Sequence, residues 1–188
     1  MKLYFSPGAC SLHPHIALLE AELPFELVRV DTRSHRTQSG ADFYAINPKG
    51  YVPVLELDDG ARLTEGAVID QFIADRAPES KLAPPAGTMA RYRLQEWLNF
   101  VASEIHKSFG PLFGSASEEA KNQARTRVSA RLDLVERQLE KTPYLLGGTI
   151  LARYETRTIA GTSYQHPPLR ACHRPLSGPR GSRSGLTG

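Results

Sequence analysis
Strand-like apolar spacing in this 188-residue chain ends at Pro84-Pro85-Ala86-Gly87, and that boundary limits the folds open to it. Before the break, short β-prone runs alternate with helical patterns. Lys2-Leu3-Tyr4-Phe5 reads as a strand, Ser6-Pro7-Gly8 interrupts it, and Leu12, Ile16, Leu19 and Leu23 recur at helical spacing. Pro14 falls in the first turn of that helix, where its missing N–H costs little. Phe25 to Val30 is a second strand, so a β-α-β unit with parallel strands is expected. A polar loop and a short helical piece, Ala41 to Ile46, follow. Val52 to Leu57 and Ala61 to Thr64 then form two strands around Asp58-Asp59-Gly60, a strong hairpin signal. Val68, Ile69, Phe72 and Ile73 open a helix that stops near Ala77-Pro78.

Beyond the break only helical spacing remains. Leu94, Trp97, Leu98, Val101 and Ile105 make one stripe, and Ala124, Val128, Leu132, Val135 and Leu139 make another that runs to Thr142-Pro143. A pair of helices leaves part of each apolar face wet, so this half requires further helices or a partner chain. The fold class expected is α/β followed by all-α: residues 1–80, a linker at 81–87, an incomplete helical domain at 88–147, and an aberrant tail at 148–188. In that tail Gly, Pro, Ser, Thr and Arg replace the periodic pattern, and disorder is expected. The net charge of +3 belongs to the tail, because residues 149–188 carry six arginines against the single acid Glu155, leaving the rest at −2. That distribution argues against nucleic acid as the partner. No apolar run approaches the ~18 residues of a membrane span, and the first residues lack the apolar core of a signal peptide. With only Cys10 and Cys172, no disulfide framework is expected, and a cytoplasmic protein fits.

Cys10, within Ser6-Pro7-Gly8-Ala9-Cys10-Ser11, falls at the mouth of the first helix. N–H groups and the dipole there favour a thiolate, which makes Cys10 a nucleophile or an anchor for a sulfur ligand, against the alternative of a buried structural cysteine. His13 stands where the second cysteine of a Cys-x-x-Cys would be, so a two-thiol redox motif is excluded. His13, His15, His166 and His173 show no zinc-ligand spacing, and no metal is expected.

Four segments together resemble the glutathione transferases, specifically the bacterial beta class that keeps a cysteine in this loop. They are the Cys10 loop, Asn47-Pro48-Lys49-Gly50-Tyr51-Val52-Pro53, Leu63-Thr64-Glu65-Gly66, and Trp97 to Lys107. The resemblance implies a thioredoxin-like first domain, a cis bond before the structural residue Pro53, and glutathione as substrate. The Val52 backbone would pair with the tripeptide, and Glu65 and Gly66 would hold its γ-glutamyl end. Asn99, Ser103, Glu104 and His106 would approach from the helical domain, with Cys10 and His106 at the sulfur. Asn99, Ser103 and His106 share one face if the helix is regular.

Two departures stand out. His35, within Arg33-Ser34-His35-Arg36, replaces the lysine that contacts the glycine carboxylate, which implies weaker glutathione affinity unless Arg36 substitutes. After Tyr144-Leu-Leu-Gly147 the capping segment of a buried helix is absent, and a shifted reading frame or truncation near Gly148 is expected. The resemblance implies a homodimeric detoxifying transferase whose glutathione thiolate attacks a hydrophobic electrophile or exchanges with a disulfide. The rivals are an inactive or unstable remnant that at most binds glutathione, and an interaction module using the basic tail.

Overall fold
The computed structural model describes residues 1–142 and 144–146. Five strands and four α-helices account for most of that length: β1 (Lys2–Phe5), α1 (Leu12–Glu20), β2 (Glu26–Asp31), β3 (Arg36–Thr37), β4 (Val54–Glu56), β5 (Arg62–Thr64), α2 (Gly66–Arg76), α3 (Met89–Phe100) and α4 (Glu118–Lys141). The sheet order is β3-β2-β1-β4-β5. β1 and β2 run parallel, as a β-α-β unit requires, with Leu3 opposite Leu27. β4 lies antiparallel to β1, with Leu3 opposite Leu55, and continues into the β4–β5 hairpin. Gly60 closes that hairpin at φ +84°, a conformation a side chain would resist. β3, a two-residue edge pairing Asp31 with Arg36, has no counterpart in the sequence pattern.

Apolar burial lies on both sheet faces. Leu3 and Leu55 join Ala17 and Leu18 of α1 and Ile69 and Ile73 of α2, and the same cluster continues without interruption into Leu94, Leu98, Val128, Leu132 and Val135. Tyr4, Val30, Phe43, Val52 and Val54 form a second cluster. The short helical piece expected at residues 41–46 is a 3₁₀ turn, Phe43–Ala45, whose start is capped by the Asp42 carboxylate accepting from the Tyr44 amide.

The face that α1 buries differs from the expected stripe. Leu12 and Leu19 are 46% and 58% exposed, whereas His13, Pro14, Ala17 and Leu18 are buried. The helix ends at Glu20, so Leu23 lies beyond it. Apolar residues surround this nine-residue helix, and periodicity alone could not choose among its faces. Val68 on α2 is likewise exposed, and Asp70 takes a place in the buried face.

Between the sheet and the helices, Arg91 secures the linker. Only 4% exposed, it donates to the Pro84 carbonyl at 2.9 Å and to Asp75 of α2 at 2.7 Å. The α4 stripe is buried at all five expected positions. Ser117 caps that helix, its hydroxyl accepting from the Ala120 amide. An open groove of about 880 Å³ lies between α3 and α4, lined by Trp97, Phe100, Leu134, Leu145 and Leu146 among others. The chain after Leu146, including the expected tail and Cys172, lies outside the described residues.

Candidate active site
Cys10 lies in the turn just before α1, half-buried. That turn is tied at its base, where the Ser11 hydroxyl accepts from the Ser6 amide and donates to the Ser6 carbonyl, both at 3.2 Å. The Cys10 thiol donates to the Val52 carbonyl at 3.4 Å. Val52 is buried and precedes Pro53 through a cis peptide bond. Two motifs 42 residues apart thus meet because β4 pairs with β1, whose end leads into the Cys10 turn.

Glu65 stands immediately before α2 at φ +64° and makes no side-chain cap on that helix. Its carboxylate instead accepts from Lys49 Nζ at 2.6 Å and from the Tyr51 hydroxyl at 2.9 Å. The Lys49 hydrogen bond, opposed by partial burial and aided by Tyr51 and the charges of Lys49 and Lys107, holds this carboxyl below the usual range. Lys107 belongs to the helical half, so charges from both halves act on Glu65. The carboxylate assigned to a substrate ammonium is therefore matched here by an internal ammonium.

His35 sits at φ +51°, its Nδ1 against the Gly50 carbonyl at 2.9 Å and its ring 4.5 Å from that of Tyr44. These contacts fasten the loop after β2 to the turn before Val52. Arg36 donates to the Gly40 carbonyl.

In the helical half, α3 does not continue as a regular helix. It passes at Val101–Ile105 into a π-helical turn and then into a 3₁₀ segment, His106–Leu112, containing Pro111. The Ser103 hydroxyl donates to the Asn99 carbonyl at 2.8 Å and the Ser108 hydroxyl to the Glu104 carbonyl at 2.5 Å, and such back-bonding bends helices. The wider turn changes the register on which a common face for Asn99, Ser103 and His106 relied. Asn99, Ser103 and Glu104 are exposed, and the Glu104 carboxylate accepts from Arg131 of α4 at 3.1 Å. His106 is half-buried. Its pKa is lowered by burial first, then by the charges of Lys107 and His13, so the imidazole is neutral at neutral pH.

The family described as the glutathione S-transferase N-terminal domain matches residues 8–76. Glutathione S-transferase GstA of Escherichia coli O157:H7 is 45% identical over 148 residues, covering 78% of this chain and 74% of that protein. The chain belongs to the glutathione transferase family. A solved sphingomonad glutathione S-transferase complexed with glutathione superimposes with a TM-score of 0.83 at 44% identity, covering 86% of this chain and 81% of that one. The bacterial beta class glutathione S-transferase of Sphingomonas chungbukensis gives 0.86 at 40% identity, covering 92% and 89%.

This glutathione transferase has, beside the expected residues, a buried pair that the sequence did not suggest. His13 of α1 and Asp70 of α2 meet through Nδ1 and Oδ2 at 2.8 Å. The available signal was Asp70 itself, an acid set in the apolar run Val68-Ile69-Asp70-Gln71-Phe72-Ile73. Among the described residues, no group of three or more His, Cys, Asp or Glu side chains could hold a metal ion, and no helix is long and apolar enough to cross a membrane.

Proposed function
We propose that the chain is a cytoplasmic, homodimeric transferase that binds glutathione between the sheet unit and the helical half and delivers its thiolate to a hydrophobic electrophile or a disulfide. The γ-glutamyl ammonium goes to Glu65, displacing Lys49, and the α-carboxylate to the N–H groups at the start of α2, where the dipole favours an anion. The Val52 backbone pairs with the tripeptide, and the sulfur comes to Cys10 and His106. Asn99, Ser103 and Glu104 flank it from the helical half, and His35 faces the glycine end through its ring edge. The observation that carries this reading is the Cys10 thiol on the Val52 carbonyl, which joins the sulfur-binding and backbone-binding groups in one contact.

His106 and Cys10 stabilise the glutathione thiolate by hydrogen bonding to its sulfur, and the thiolate then attacks the electrophile. Toward a disulfide, the Cys10 thiolate attacks one sulfur of oxidised glutathione. A protein–glutathione S–S bond forms, the original S–S bond breaks, and the departing glutathione thiolate takes up a proton.

Intact mass after incubation with oxidised glutathione tests the reading. A gain of one glutathione, lost in Cys10→Ser, supports it; no adduct, or an adduct on Cys172 alone, replaces it with that of an inactive remnant.

A further inference from the structure
His13 and Asp70 take no part in the chemistry above, yet they stand behind both of its ends. His13, 2% exposed, occupies the first turn of α1, three residues after Cys10; Asp70, fully buried, lies on α2 four residues after Gly66. Asp70 Oδ1 is buried without a hydrogen-bond partner. The imidazole is also pressed against Gly66: a Cβ added there would lie 2.5 Å from Nε2 and closer still to Cε1. Any side chain at position 66 would therefore drive the ring from its seat.

Joining two helices does not require such a pair. Apolar side chains of similar volume do so at no desolvation cost, and replacing a buried ionisable pair by them is often neutral or stabilising. What the pair adds is direction. The bond to Asp70 fixes the ring plane, and the flush contact with Gly66 fixes the height at which α2 begins beside α1.

We propose that His13 is a positioning residue for glutathione: held by Asp70, its ring locks the Glu65-Gly66 turn to the Cys10 turn, so that the γ-glutamyl and sulfur ends meet their partners in one register. The proposal rests on the site reading given above. The effect of His13 on His106 agrees with a ring that lies near the sulfur end as well.

The test is steady-state kinetics of the full chain with glutathione and an activated aryl halide, alongside thermal melting. His13→Ala raises KM for glutathione about tenfold while kcat stays within about twofold, because binding register is lost and the reacting groups remain. His13→Asn, whose amide nitrogen stands where Nδ1 stood, restores most of the affinity. Gly66→Ala raises the same KM in the native background and adds nothing once His13 is alanine, because the methyl then fills vacated space. If His13→Ala does not fold, His13→Asn and Gly66→Ala carry the test.

An unchanged KM in His13→Ala with only a lower melting point, or additive effects of the two alanines, overturns the proposal. Loss of binding in Glu65→Ala beside native binding in His13→Ala overturns it alone, whereas a native chain that binds no glutathione overturns the site reading with it.

Discussion
Glu65 and Asp70 stand five positions apart at the start of α2, each with a nitrogen partner within 2.8 Å, and solvent makes them opposites. Glu65 and Lys49 are about half exposed, so water replaces either partner with little change in energy and the pair can exchange for a ligand. Asp70 and His13 are sealed from water, so solvent cannot stand in for either. The same chemistry gives a site that opens at one position and a fixed strut at the next turn. Exposure, more than residue type, decides which carboxylate can serve binding.

The contrast breaks most readily at Asp70. Asp70→Ala leaves a buried imidazole without its acceptor and is expected to cost about 3–5 kcal/mol, seen as a lower denaturant midpoint with an unchanged m-value; a cost near zero would mean that the pair is not a strut. Glu65→Gln should lower the melting temperature only slightly while weakening glutathione about 10- to 100-fold in isothermal titration, the range for loss of a charge-assisted hydrogen bond. Lys49→Met removes the internal competitor and should tighten glutathione about two- to threefold, most at low salt.

The smallest expected effect is in pH. The folded His106 binds its proton less readily than an unfolded histidine, so just below the ordinary histidine pKa the unfolded chain carries more protons and stability falls with falling pH. Glu65, held low, keeps its charge to below the usual carboxylate range, so the two losses separate along the pH axis. His106→Asn should abolish the upper step and leave the lower one.

The β4–β5 hairpin was legible because its turn residues and both strands lie within a dozen positions, and α4 because a 24-residue helix with one apolar face has only one way to pack. The short α1 offered several faces, and the correct one contains a histidine whose partner is 57 residues away. No local period carries such a contact. Cys10 stood out by its place at the mouth of α1, and Val52 and Glu65 by the resemblance of their motifs to the family's, but their contacts depend on strand pairing and on the conformation of Glu65. The π turn after α3 was hidden for a different reason: Val101 and Ile105 stay buried in either helical form, so the apolar stripe cannot report the change.

The clamp formed by Arg91 bears on how the enzyme moves. One buried guanidinium holds both the linker carbonyl and Asp75 of α2, and apolar packing runs unbroken from sheet to helices, so any bending at residues 81–87 has to break those contacts. Bending of that kind is a collective motion of microseconds to milliseconds, whereas exposed side chains and turns rearrange in nanoseconds to microseconds.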